Sequence, residues 1–140
     1  MNKIKCRKIS PGLASGEALI SNQPISFFGG VDPDTGIVIE QSHPLEGKSI
    51  AGTVLIFPSG KGSTVGSYTL YRLKKNSKAP AALINRECEA IVAVGAIISE
   101  IPAVDKPKQD IFALAKDGDI LTVDGTNGEI IFSSPRKRKQ

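Results

Sequence analysis

Tryptophan is absent, histidine occurs once, and the aromatic residues are two Tyr and five Phe in a chain of 140. A base-stacking surface of the RNA-binding kind needs several aromatic platforms, and this chain has too few to build one. There are two cysteines, Cys6 and Cys88, far apart in sequence. Two thiols exclude a disulfide scaffold, a four-cysteine zinc site and an iron–sulfur cluster held by this chain alone. Both are expected to serve as small buried apolar side chains. No run of about 18 apolar residues occurs, so no membrane-spanning helix is expected. The opening MNKIKCRKIS has charge but no apolar stretch behind it, which speaks against a signal peptide. A soluble, cytoplasmic protein with no membrane partner is the expectation.

An excess of one charge is also missing from most of the chain. The net charge is +4. Without Arg136, Lys137, Arg138 and Lys139 the remainder balances. The basicity belongs to a tail, residues 135–140, and not to a nucleic-acid footprint on the folded body. A charge run of this kind is usually a solvated terminus. With 40% hydrophobic and 23% charged residues, the rest has the composition of one folded domain. The division expected is a domain over residues 1–134 and a basic mobile tail over 135–140.

What is present is strand and turn chemistry. Residues 3–9 alternate basic and apolar side chains, the pattern of a strand with one apolar face. EALIS (17–21) predicts a second short strand after the Pro-Gly turn at 11–12. Residues 22–36 hold two Pro, three Gly, two Asp and an Asn, with Phe27 and Phe28 among them. Residues 37–40 predict a short strand. GTVLIFP (52–58) and APAALIN (79–85) are continuous apolar runs bounded by turn residues, the pattern of buried central strands. Val65, Tyr68, Leu70, Tyr71 and Leu73 suit a helix running from Thr64, with Lys74 and Lys75 at its C-terminal end. Residues 87–100 suit a helix followed by a strand at IPAVD, or one strand through 91–98; periodicity leaves both open. A short helix is predicted over 110–116, and a hairpin around GTNG (125–128). Early strands followed by strand–helix alternation predict a three-layer or barrel-like α/β domain.

Three features carry candidate chemistry. Ser59-Gly60-Lys61-Gly62-Ser63-Thr64 lies between a buried strand and a helix, where free backbone N–H groups bind anions. Its spacing fits neither a P-loop nor GxGxxG. Read locally, Ser63 or Thr64 serves equally well as a plain helix N-cap. In GGVDPDTG (29–36), Gly29 and Gly30 allow close backbone approach to a ligand, while Asp32 and Asp34 suit a cation or Asx turns. His43 precedes Pro44 in a loop, where a structural hydrogen-bonding role is the simpler reading than a catalytic triad.

Taken together, ASGEALIS, PISFFGGVDPDTG, HPLEGKSIAGTVLIFPSGKGSTVGSYTLY, APAALI, EAIVAVGAI and IPAVDK, in that order, resemble the small subunit of the aconitase X family. VDGTNGEII fits the same fold. The resemblance implies a swivelling β/β/α domain like the mobile C-terminal domain of aconitase. It places Ser63 where the aconitase serine acts as catalytic base. The arginine two residues beyond that serine is replaced by Val65, which implies a substrate other than citrate. Gly-Lys-Gly-Ser-Thr-Val-Gly-Ser-Tyr (60–68) is similar to the archaeal branch of the family. That branch implies dehydration of (R)-5-phosphomevalonate, a small phosphorylated hydroxy acid, to trans-anhydromevalonate 5-phosphate, in isoprenoid biosynthesis.

The resemblance further implies a 4Fe–4S cluster with an open iron site. Since Cys6 and Cys88 cannot supply its ligands, the cluster is expected on a separate large subunit, with this chain as the small member of a heterodimer. Iron would act as a Lewis acid for the departing hydroxide. Ser63 would remove the C2 proton, its alkoxide held by the N–H groups of Gly62, Thr64 and Val65, with Lys61 adding positive charge. Gly29 and Gly30 would form the second wall of the pocket, and no metal ligand is expected in this chain. Two rival readings stand beside it: the same chemistry on another hydroxy acid such as cis-3-hydroxyproline, and a non-catalytic swivelling module.

Overall fold

The computed structural model describes residues 3–61 and 65–133. The apolar runs become the centre of a sheet. Strand β4 (Val54–Phe57) and β5 (Ala82–Asn85) are buried along their whole length. Side chains alternate across a strand, so each run feeds two cores. Leu55, Phe57 and Leu83 enter one; Val54, Ile56, Ala82 and Ile84 enter the other. The remaining strands are β1 (Lys3–Lys5), β2 (Arg7–Ser10), β3 (Leu13–Ile20), β6 (Ala103–Asp105), β7 (Ile120–Asp124) and β8 (Glu129–Phe132).

All eight form one sheet in the order β1-β8-β7-β3-β4-β5-β6-β2. The middle run β3-β4-β5-β6 is parallel, and the pairings on either side of it are antiparallel. The two outermost strands, β1 and β2, are consecutive in the chain. A single residue, Cys6, joins them, and its N–H donates to the Gly128 carbonyl at 2.8 Å. The sheet therefore curls until its edges meet. Ile4, Val104, Ile111, Leu121, Val123 and Ile130 fill the inside of the curl. The barrel-like α/β expectation is met.

The other core lies between the sheet and the helices α2 (Gly66–Lys75) and α3 (Ala90–Ile98). Leu70 and Leu73 of α2 and Val92 and Ala96 of α3 are its helical contribution. The helices approach closely because of Gly95. A Cβ there would stand 2.7 Å from Leu70 Cδ1 and 3.0 Å from the Ser67 Cα. A shorter helix, α4 (Ile111–Leu114), and a kinked segment, α1 (Phe27–Gly30), complete the fold; Phe28 and Gly29 of α1 have non-helical backbone angles. Asp110 caps α4 by accepting the Phe112 N–H at 3.0 Å.

Several expectations are corrected in detail. Residues 3–9 are two strands and not one, because β1 pairs with β8 while β2 pairs with β6. The strand predicted over residues 17–21 begins at Leu13; its first half, Leu-Ala-Ser-Gly, carries no alternating apolar pattern, and Leu13 itself is 67% exposed. Residues 37–40 form no strand; Val31↔Val38 and Ile37↔Ser49 are isolated bridges. Over residues 87–100 the helix prevails as α3, followed by β6. The GTNG hairpin forms between β7 and β8, and the Asp124 carboxylate accepts the N–H groups of Thr126 and Asn127. Those hydrogen bonds, with the Asn127 amide foremost, hold the Asp124 carboxyl below its ordinary range.

The cysteines pack against apolar cores but are only partly buried where full burial was expected, Cys6 against the core inside the curl and Cys88 against the core under the helices. Burial pushes both thiols up to about 12, and the charge of nearby Asp105 adds to the effect. Asp105 is fully buried and accepts two hydrogen bonds from Arg7, each 2.8 Å, and one from the Cys88 N–H. This buried acid ties β2, β6 and the loop before α3 together.

Candidate functional site

Ligands of parallel α/β sheets bind beyond the carboxyl ends of the strands. Here β3 and β4 lead at that end into the two glycine-containing segments. The chain leaves β4 through Pro58, Ser59, Gly60 and Lys61, and Gly60 forms a parallel bridge with Ile25. The Ile25 N–H donates to the Ser59 carbonyl at 3.2 Å, and the Lys61 N–H donates to the Ile25 carbonyl at 3.1 Å. Two residues beyond Ile25, the buried Phe27 meets Phe57 of β4 edge-on, with ring centres 5.7 Å apart. Segment 59–61 and the start of the Gly29-Gly30 loop are therefore pinned side by side.

The glycines in this region have distinct reasons. At Gly60 a Cβ would fall 2.4 Å from Val92 Cγ2 and 2.9 Å from Glu89 Oε1, so this position serves the packing of α3. Gly29 has φ of +86° and open space where a Cβ would stand. Its glycine is required by backbone conformation alone, and the loop presents an unobstructed backbone. Gly30 is buried, and a Cβ on it would lie 3.2 Å from Glu40 Oε1.

Glu40 is the residue that sequence reasoning missed. Its backbone N–H and that of Ile39 donate to the Gly30 carbonyl at 3.2 and 2.8 Å. Its carboxylate Oε2 lies 2.8 Å from Lys61 Nζ. The pair is formed across 21 positions of sequence, and no local pattern announces it. Lys61, expected to bring charge to an anionic substrate, is thus tied to the loop containing Gly29 and Gly30.

Gly62, Ser63 and Thr64 lie outside the described residues. Val65 occupies the N-cap position of α2, without a side-chain cap. That position is one beyond Thr64 and two beyond Ser63, the residues favoured as caps. Beside Val65 an open cleft of about 310 Å³ runs between the Gly29 loop and α2, lined by Phe28, Gly29, Val31, Pro33, Ile39, Val65, Tyr68, Thr69 and Arg72. Its walls are mostly apolar.

Two other candidates resolve as structural. The Asp32 carboxylate accepts the Asp34 N–H at 2.9 Å, the Asx turn that competed with a cation site. His43 is buried; its Nδ1 accepts the Leu45 N–H at 3.0 Å and its Nε2 lies 3.0 Å from the Pro24 carbonyl. Both ring nitrogens are engaged in holding loops. Among the described residues no group of three or more His, Cys, Asp and Glu is gathered as metal ligands. With the two thiols on different cores and kept protonated by burial, this chain does not fit an iron–sulfur cluster.

A curled mixed sheet with two helices on one face, and a central strand that leaves through Gly60 pinned to Ile25, define an α/β domain of the swivelling kind. The chain belongs to the aconitase X swivel domain family, which it matches over residues 3–132. It is 59% identical to the phosphomevalonate dehydratase small subunit of Methanosarcina acetivorans, over 98% of this chain and 95% of that protein. It is 63% identical to the protein of the same name from Methanosarcina mazei, over 91% of this chain and 89% of that one. The crystal structure of Thermococcus kodakaraensis aconitase X in its holo-form superposes with a TM-score of 0.90. That chain is 52% identical, and the match covers 96% of this chain and all of that one.

Proposed function

We propose that this chain is the small subunit of a two-chain hydro-lyase that removes water from (R)-5-phosphomevalonate and forms trans-anhydromevalonate 5-phosphate. Relatives carrying the phosphomevalonate dehydratase small subunit name match it almost end to end. The observation that carries the reading is the pinning of segment 59–61, which ends two residues before Ser63 in sequence, to Ile25 at the start of the open glycine loop.

The chemistry assigned to this chain is proton removal. The proton on C2, beside the carboxylate, passes to Ser63 while the C3 hydroxyl departs, and the two together make up the water lost. A serine is a weak base unless its alkoxide is held by positioned donors. The backbone N–H groups of Gly62 and Thr64 are assigned that task, and Lys61 stands two residues from the serine as a nearby positive charge. Gly29 and Gly30 form the facing wall, where the absence of side chains lets a substrate meet the backbone. The iron–sulfur group that the aconitase-like family implies is assigned to the large subunit, since this chain has no fit for it. The heterodimer is proposed to work in the cytoplasm.

The test is co-purification with the large subunit under anaerobic conditions, followed by assays with (R)-5-phosphomevalonate and cis-3-hydroxyproline. Dehydration of the first by the pair, and by neither chain alone, is expected. Turnover of the second in preference would move the chain to the other branch of the family.

A further inference from the structure

The Glu40–Lys61 contact has no part in the proton transfer just described, yet its placement is specific. Oε2 of Glu40 reaches Lys61 Nζ at 2.8 Å, Oε1 lies over Gly30, and the Glu40 N–H holds the Gly30 carbonyl. The Glu40 side chain is 27% exposed and that of Lys61 47%. A pair this open to water adds little to folding stability. What it does is close a ring of contacts: Gly30 to Glu40, Glu40 to Lys61, and Lys61 through its own N–H to Ile25, five residues before Gly30.

We infer that Glu40 is a positioning residue for the dehydration, acting through Lys61, an inference that rests on the function proposed above. The carboxylate fixes the ammonium and with it the end of segment 59–61, two residues before Ser63 in sequence. It also holds the Lys61 ammonium in one place, so that the lysine acts as a fixed positive charge and not as a free anion trap. Misplacing a reacting group by even about 1 Å is enough to slow an enzymatic step substantially. Removing the clasp is therefore felt in turnover more than in substrate capture.

The experiment compares Glu40→Gln, Lys61→Met and the double variant. In the full-length small chain, amide exchange at Ile25 and Lys61 is followed by NMR. Glu40→Gln should speed exchange at both by about two- to fivefold, the scale of an exposed ion pair, and leave Leu83 in β5 unchanged. In the heterodimer, kcat for (R)-5-phosphomevalonate should fall by about tenfold with KM within about twofold. The double variant should be no slower than the slower single one. Unchanged exchange, losses that multiply, or a loss carried by KM would each overturn the positioning role. A wild-type pair that does not turn over the substrate would overturn the function instead, and exchange would still decide whether Glu40 holds the segment.

Discussion

At the residue scale, the protein separates side chains that hold from side chains that react. Both ring nitrogens of His43, both carboxylate oxygens of Asp105 and one of Asp32 are engaged by the chain's own backbone or a neighbouring side chain. Cys6 and Cys88 are kept as thiols at neutral pH, because burial raises them to about 12 and a protonated thiol is a poor nucleophile. Alkylation of the native protein at pH 8 should be slow at both positions and become fast on unfolding. Rapid native labelling at either cysteine would contradict the burial argued for it. Removing Arg7 should cost more stability than removing any surface lysine, because it leaves the buried Asp105 carboxylate with the Cys88 N–H and no cation. The check is the Tm of Arg7→Met against that of Lys108→Met.

At the element scale, two glycines and one turn show why local sequence suffices in some places and fails in others. Gly95→Ala places a methyl 2.7 Å from Leu70 Cδ1. Such overpacking costs about 1–3 kcal/mol, and the Tm of the variant should fall accordingly. The GTNG turn was legible because its chemistry is local: Asp124 accepts from residues two and three ahead. Its carboxyl is held below the ordinary carboxylate range in the folded protein. The turn's contribution is therefore present above that range and is lost as pH falls through the folded value. Asp124→Ala should lower Tm at pH 7, and the gap to the parent should close on acidification; a gap independent of pH would contradict it. The buried strands β4 and β5 were equally legible, since strands covered on both faces read as unbroken apolar runs. The change of partner at Cys6 was not read, although the basic–apolar alternation slips at Arg7-Lys8 directly after it. Nor was Glu40, whose ion pair joins loops that only the fold brings together.

At the scale of the whole molecule, the curled sheet serves as a rigid mount. The parallel strands β3 and β4 deliver two glycine-bearing segments to one end, and the bridge at Ile25 and Gly60 keeps them there. The proposed serine base was suggested only by the family resemblance, because the local pattern fits a cap as well as a catalytic residue. The small chain alone should be folded, colourless and inactive, and should become part of an active heterodimer when made with the large subunit. An iron-containing, active small chain would contradict the division of labour between the subunits. The most direct test of the account is turnover of (R)-5-phosphomevalonate by the reconstituted pair with Ser63→Ala set beside Thr64→Ala. The account predicts that Ser63→Ala lowers kcat by about 10²–10⁴-fold with the heterodimer intact, and that Thr64→Ala has a far smaller effect. Turnover within a few-fold of the parent in both variants, with a lowered Tm, would contradict the serine base and leave only a helix cap.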